Sequence, residues 1–131
     1  MSKRLNISSG TKWEDFVGYS RAVRMGNMIE VAGTVATDNT GNIIGKEDPY
    51  AQARFILEKI ETALQQAGAS MNDVVKTVTY VTDIDNWEAI GKAHGEFFRE
   101  IKPVSTLVEV SSLIGADFLV EIEARAILTD E

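Results

Sequence analysis

Two stretches near the carboxyl end decide the fold: residues 104–110, Val-Ser-Thr-Leu-Val-Glu-Val, and residues 118–128, Phe-Leu-Val-Glu-Ile-Glu-Ala-Arg-Ala-Ile-Leu. Both alternate with a period of two, which predicts two final β-strands. The face expected to lie beneath helices contains Thr106, Val108, Val110, Phe118, Val120, Ile122 and Ala124. The opposite face is expected to contain Ser105, Leu107, Glu109, Leu119, Glu121, Glu123, Arg125 and Ile127.

Working back from these strands, the sequence predicts a β-hairpin and a long helix. Residues 19–25 and 28–35 form two short strands joined by Gly26-Asn27, a pair that suits a primed two-residue turn. Asp48-Pro49 supplies a helix cap and a first-turn proline. Apolar residues at helical spacing then continue to about Ala67, and Gly68 follows where a left-handed cap is expected.

A third strand and a second helix connect these two regions. Residues 74–82 are rich in β-branched side chains and are predicted to form a strand. Asp85 and Glu88 resemble a capping box, and apolar residues at helical spacing continue until Lys102-Pro103. The resulting order β-β-α-β-α-β-β predicts one α+β domain over residues 1–131, a mixed sheet with both helices on one face.

The uncovered sheet face combines leucine and isoleucine with carboxylates. Such a face is too apolar for solvent and too charged for a core, which predicts a homo-oligomer with polar clefts between its subunits. Within it, alternate glutamates repel one another unless a counter-charge such as Arg125 compensates. Two interpretations remain open: a ladder of ion pairs at a subunit contact, or one glutamate that is partly desolvated in a cleft and handles protons.

Composition excludes several kinds of chemistry. The 131 residues include no cysteine and one histidine, so thiol nucleophiles, thiolate zinc sites and two-histidine metal sites within one chain are absent. No G-x-G-x-x-G motif occurs, and neither a metal nor a cofactor is expected. His94 lies on the apolar stripe of the second helix, where a structural histidine is favoured over a general base.

Charge and hydropathy also limit the partners. Acidic residues outnumber basic ones by 20 to 13, which disfavours nucleic acid as a ligand. No apolar run approaches the roughly 20 residues of a membrane helix, and the first residues lack the apolar core of a signal peptide. A cytoplasmic protein without a membrane contact is expected.

Several stretches together resemble the Rid family, also labelled YjgF/YER057c/UK114 or "endoribonuclease L-PSP". The stretches that carry the resemblance are Gly18-Tyr19-Ser20, Gly26-Asn27-Met28-Ile29 to Gly33, Ala51-Gln52-Ala53-Arg54, Ala67-Gly68-Ala69-Ser70, Asp73-Val74-Val75-Lys76-Thr77, Val81-Thr82-Asp83, Phe97-Phe98, Pro103 to Val110 and Val120 to Ala124. The resemblance implies a chorismate-mutase-like α+β fold, a homotrimer, three clefts between subunits that bind a small molecule, and enamine or imine deamination.

The same resemblance implies site residues. Glu121 matches the glutamate that assists proton transfer and water activation, and Tyr19 and Gly33 match positions that shape the pocket. Ser105 stands where deaminating members carry the arginine that holds a substrate carboxylate. A serine hydroxyl does not replace that charge, so the substrate is expected either to lack a carboxylate or to use Arg125.

The sequence leaves open whether the chain is an enzyme. The leading hypothesis is a hydrolase that deaminates a small imine or enamine, with Glu121 as catalytic residue and Tyr19, Gly33, Ser105 and Arg125 as substrate-binding residues. The alternative is a trimer that binds a metabolite or docks a protein without chemistry. A ribonuclease or translation inhibitor is the third hypothesis, disfavoured by the acidic charge and the single histidine.

Overall fold

A mixed six-stranded sheet with two helices on one face forms the architecture of the computed structural model, which describes residues 3–129. The ends of the predicted domain, residues 1–2 and 130–131, lie outside the described residues. The elements in chain order are β1 (Arg4–Ile7), α1 (Lys12–Val17), β2 (Ala22–Met25), β3 (Met28–Thr34), α2 (Pro49–Gln66), β4 (Val74–Val81), α3 (Trp87–Phe98), β5 (Val104–Glu109) and β6 (Val120–Ile127).

The predicted hairpin and long helix are confirmed. Met25 pairs with Met28 across the Gly26-Asn27 turn, where Gly26 takes a φ of 60°. The Asp48 carboxylate accepts a hydrogen bond from Ala51 N at 3.0 Å and caps α2. Gly68 follows α2 with a φ of 88°.

Two expectations about local structure were wrong. The Asp85/Glu88 capping box does not form, since Asp83 instead caps a short 3-10 turn over Ile84–Asn86 before α3 begins at Trp87. β1 and the six-residue α1 were not expected, because segments this short carry too few periods for a pattern to appear.

The strand order is β1-β2-β3-β6-β4-β5. β6 pairs antiparallel with both β3 and β4, and β5 runs parallel to β4 at the edge. The core lies between the sheet and the apolar faces of α2 and α3, as expected for one apolar stripe on each helix. Its largest fully buried side chains include Ile29, Ile56, Leu57, Ile60, Leu64, Ile90 and Ile122. The α+β prediction, with a mixed sheet and helices on one face, is confirmed.

The predicted facing of β6 is confirmed, but that of β5 was wrong. Ser105 and Leu107 pair with Thr77 and Thr79, whose side chains are buried beneath the helices. Leu107 itself packs against the core. Because β5 is an edge strand, both of its faces are partly exposed, and alternation in its sequence does not report which face meets the helices. Its register comes from pairing with β4.

The sheet face away from the helices is here called the outer face. It is defined by Val23, Glu30, Val78, Tyr80, Thr106, Val108, Glu121, Glu123 and Arg125, as the strand pairings place them. None of the helices within residues 3–129 is both long and apolar enough to cross a membrane.

Candidate functional site

A β-bulge brings Gly33 and Glu121 together. The pairing of β3 with β6 shifts register between Val31 and Thr34, and Gly33 lies within that irregular segment. A Cβ atom built on Gly33 would overlap Glu121 Oε2, so the carboxylate lies directly over the glycine backbone. A glycine at position 33 is therefore what allows the carboxylate to lie here, since any larger residue would displace it.

Glu121 has an unusual electrostatic environment. Burial raises the pKa of its carboxyl group, the positive charge of Arg21 partly opposes that effect, and the nearby Glu123 carboxylate raises the pKa further. A carboxyl group in this environment is closer to exchanging protons near neutrality than an exposed glutamate. This is the property that the interpretation of one desolvated glutamate requires.

Arg21 supports this segment and was missed at the sequence level. Its Nη2 donates a hydrogen bond to Gly33 O at 2.6 Å, and its Cζ lies 6.0 Å from the centre of the Tyr19 ring. Its Nε is buried and finds no partner among residues 3–129. Burial lowers the pKa of Arg21, an effect opposed by Tyr19, Glu14 and Glu121. No sequence pattern indicates this role, because an arginine beside a strand is usually solvated.

A groove of about 440 Å³ opens beside this cluster on the outer face. Tyr19 and Gly33 line it together with Asn6, Glu30 and Glu123. The Tyr80 hydroxyl donates to Glu123 Oε1 at 2.8 Å, a bond that raises the pKa of Tyr80 and holds one groove carboxylate in place. The structure thus collects Tyr19, Gly33 and Glu121 in one region, and their roles stay predictions.

Arg125 does not compensate the β6 glutamates. Its Nε donates to Glu30 Oε2 at 2.7 Å, and the two side chains are 44% and 46% exposed. Strand pairing places Arg125 opposite Glu30 on β3, which explains the preference over Glu123 in its own strand. Because Glu30 already neutralises this guanidinium, Arg125 offers a ligand less free charge than expected.

Ser105 and Glu109 lie apart from the groove, contrary to the expectation of one shared face. Ser105 Oγ accepts a hydrogen bond from Thr77 Oγ1 at 2.9 Å on the helix side of the sheet. Glu109 Oε1 accepts from Ile84 N at 2.8 Å, so it stabilises the turn before α3. The expectation that Glu109, Glu121 and Glu123 share one face was therefore wrong. Only Glu121 and Glu123, both on β6, lie together on the outer face.

A mixed sheet in this strand order with two helices on one face defines the chorismate-mutase-like class of α+β proteins. A protein-family model described as endoribonuclease L-PSP matches residues 11–128. The chain belongs to this family, the group also labelled Rid or YjgF/YER057c/UK114. The resemblance in the sequence is thereby confirmed.

Individual relatives agree with this assignment. The chain is 42% identical over 109 residues to a RutC family protein of Pyrococcus abyssi, covering 82% of this chain and 84% of the relative. Among solved structures, Rv2704 of Mycobacterium tuberculosis, a YjgF/YER057c/UK114 family member, is 47% identical with a TM-score of 0.88, covering 96% of this chain and 100% of that one. TdcF of E. coli with bound serine is 30% identical with a TM-score of 0.78, covering 85% and 88%.

Proposed function

We propose that this protein is a homotrimer that hydrolyses a small imine or enamine in clefts between its subunits. The observation that supports this proposal most directly is the position of Glu121, half-buried over Gly33 beside the groove, with burial raising the pKa of its carboxyl group. Such a group accepts a proton in one step and returns it in the next.

The reaction places two demands on this carboxylate. Glu121 first takes a proton from water as the water oxygen bonds to the imine carbon, and it passes that proton to the imine nitrogen, which gives a carbinolamine. Glu121 then takes the hydroxyl proton as the C=O bond forms and the C–N bond breaks, and it delivers that proton to the departing nitrogen, which leaves as ammonia. Tyr19 and the backbone at Gly33 position the ligand in the groove.

Features of the outer face support the proposed assembly. Val104 and Val108 on β5 are 67% and 40% exposed, and β4 separates them from the acidic residues of β6 on the same face. Exposed apolar side chains on a strand are stabilised when a second subunit covers them. Within one protomer Ser105 and Glu121 lie on opposite faces of the sheet, so both can contact one ligand only when they come from different subunits. The proposed clefts between subunits satisfy that condition.

The test is an ammonia-release assay, with and without the protein, on imines generated in place: an amine oxidase supplies imines without a carboxylate, and an amino-acid oxidase supplies 2-imino acids for comparison. Glu121→Gln keeps the shape of the side chain and removes its proton exchange, so turnover is expected to fall by about 100-fold or more. Glu58→Gln, an equal change of charge on the exposed face of α2, is the matched control and is expected to retain full activity. Full activity of Glu121→Gln would refute the catalytic role.

A binding protein without chemistry is the second candidate, and the feature in its favour is Ser105, which by the resemblance stands where deaminating members carry an arginine. Thermal-shift measurements with keto acids, amino acids and neutral carbonyl compounds separate the two functions. Stabilisation by a compound without ammonia release favours binding alone. Ribonuclease activity, which the family description names, is less favoured because the carboxylates of Glu123 in the groove and Glu121 beside it repel phosphates.

A further inference from the structure

The short helix α1 buries a charged side chain and exposes its apolar ones. Among its six residues, all of which the structure describes, only Glu14 is buried, with 6% of its surface exposed. Trp13, Phe16 and Val17 are all more than half exposed. Because a helix of six residues is too short to be stable alone, α1 depends on contacts with the rest of the fold, and its apolar side chains supply few of them.

The carboxylate of Glu14 supplies such a contact. Its Oε2 accepts hydrogen bonds from Ser9 N at 3.1 Å and from Ser9 Oγ, both in the loop that follows β1. Burial by itself raises the pKa of a carboxyl group, but these bonds and the positive charge of Arg21 outweigh it and lower the pKa of Glu14. The side chain is therefore charged at neutral pH, and charge-assisted hydrogen bonds hold α1 to this loop.

The backbone of the same residue determines where Tyr19 lies. Glu14 O accepts hydrogen bonds from Gly18 N at 2.8 Å and from Tyr19 N at 3.0 Å, and Gly18 takes a left-handed φ of 89° that ends the helix. On the other side of Tyr19, Asn6 Nδ2 donates to Ser20 Oγ at 2.8 Å and connects the chain to β1. Tyr19 thus lines the groove from between two attachments, one to β1 and one to Glu14.

We propose that Glu14 is a positioning residue whose buried carboxylate anchors α1, so that α1 in turn fixes Tyr19 at the groove. Glu14 touches no ligand itself and acts through Tyr19. The part of Tyr19 in ligand binding rests on the proposed function, whereas the anchoring of Tyr19 by Glu14 does not.

A hydrogen-bonded carboxylate suits this task better than an apolar side chain. Hydrogen bonds are directional, so a carboxylate held by two donors fixes the rotation of a short helix as well as its place, whereas apolar contacts are not directional. Loss of the carboxylate would also leave the Ser9 donors without their acceptor, and such groups are costly unless water reaches them. Without Glu14, α1 is therefore expected to detach from the loop rather than to settle on it.

Amide hydrogen exchange tests the anchor without any ligand. Glu14→Ala is expected to speed exchange of the Gly18 and Tyr19 amides by about ten-fold or more, while the amides of the central strand β6 keep their parent rates. Alanine is a better helix former than glutamate, so faster exchange would report a lost anchor and not a weaker helix. Asp15→Ala, at the exposed neighbouring acid in the first turn of α1, is the matched control and is expected to leave both amides unchanged.

Two milder variants keep the test decisive if Glu14→Ala folds poorly. Glu14→Gln retains an acceptor oxygen and removes the charge, and Ser9→Ala removes the hydroxyl donor and keeps the backbone donor. Each is expected to speed exchange of the Tyr19 amide by about two- to ten-fold, which corresponds to one weakened hydrogen bond. Parent-like exchange of this amide in the folded variants, or an equal effect of Asp15→Ala, would overturn the proposal.

A double-mutant cycle in the imine assay tests whether Glu14 acts through Tyr19. Tyr19→Ala removes the ring, so a residue that only positions this ring has nothing left to act on. Glu14→Ala is therefore expected to slow turnover in the parent and to leave it unchanged in the Tyr19→Ala background. A residue that merely stabilises the fold would lower turnover by the same factor in both backgrounds, and that result would overturn the link between Glu14 and the groove.

The two experiments separate this proposal from the proposed function. Absence of imine turnover in the parent protein would refute the hydrolase, and the exchange rates of the Tyr19 amide would still decide whether Glu14 is its anchor. Turnover that depends on Glu121, in a protein whose Tyr19 amide is insensitive to Glu14, would refute the anchor alone.

Discussion

The Glu121 carboxylate occupies the space that a side chain at position 33 would need. Because the end of a glutamate side chain is flexible, Gly33→Ala is expected to push the carboxylate away and leave the fold intact. We predict that Gly33→Ala lowers imine turnover by about ten-fold or more, since small displacements of a catalytic group are costly. Circular dichroism and thermal unfolding should show a native-like protein. Activity equal to that of the parent would contradict the proposed position of the reacting group.

Gly91→Ala is predicted to stabilise the protein and provides a glycine control for the first prediction. Gly91 lies within α3, is exposed, and a Cβ there would meet no atom within 4 Å. Replacing a helical glycine by alanine removes backbone entropy from the unfolded chain and adds about 0.5–1 kcal/mol of stability. Chemical denaturation at fixed protein concentration measures this gain. A loss of stability would indicate that an assembly contact lies at Gly91.

Glu121→Gln is predicted to raise stability above neutral pH. Burial raises the pKa of Glu121 in the folded state, so between the unfolded and folded pKa values the native protein binds more protons than the unfolded chain. Stability contributed by the protonated form is therefore present at low pH and lost as pH rises through the folded pKa. Glutamine stays uncharged at every pH, so the variant does not lose this stability as the pH rises. The melting temperature of the variant relative to the parent should be higher at pH 8 than at pH 4, by about 2–4 °C for each kcal/mol of difference.

Arg21→Gln is predicted to destabilise the protein and to change the pH dependence of any activity. The substitution weakens the hydrogen bond to Gly33 O and removes the positive charge that lowers the pKa of Glu121. Loss of a charge-assisted, partly buried bond costs about 1–3 kcal/mol in urea unfolding. The acidic limb of the pH–rate profile should move to higher pH. An unchanged profile would mean that Arg21 acts on the backbone only.

The Arg125–Glu30 ion pair is predicted to contribute little to stability. Both side chains are nearly half-exposed, and pairs of this kind contribute at most about 1 kcal/mol. A double-mutant cycle with Arg125→Gln and Glu30→Gln, measured by urea unfolding at low and high salt, isolates the coupling energy. A coupling that clearly exceeds this value and resists salt would place the pair in a desolvated subunit contact.

The oligomer is predicted to dissociate when a charge is introduced on the outer face at β5. Val108→Asp would bury an unpaired carboxylate beneath a neighbouring subunit, which costs several kcal/mol, so light scattering should show a shift from trimer towards monomer. Thr62→Asp, on the exposed side of α2, adds the same charge and should leave the assembly unchanged. Leu107→Asp should instead weaken the fold itself, because Leu107 packs against the core. A monomeric parent protein at micromolar concentration would refute the trimer.

How far the sequence predicts this molecule depends on what each residue contacts. The long helix and the facing of β6 were predictable because both elements are buried on one side, so hydrophobic periodicity reports their environment. The facing of β5 was not, since an edge strand with two partly exposed faces lacks that signal. The supporting role of Arg21 was not predictable from the sequence either. Its burial arises from the bulge around Gly33 and from Glu121, a residue 100 positions away in the chain.

The position of β6 in the sheet has a consequence for biogenesis. β6 is the last strand along the chain, yet it lies between β3 and β4 and holds the two halves of the sheet together. Until the ribosome has made β6, the β1-β2-β3 and β4-β5 segments have no shared partner strand, and their inner edges are free to pair with other nascent chains. The residues up to Ile127 must therefore emerge before the sheet closes. Premature termination before residue 120 would release a chain that lacks the strand between β3 and β4. Such a chain is expected to be bound by chaperones or degraded by proteases.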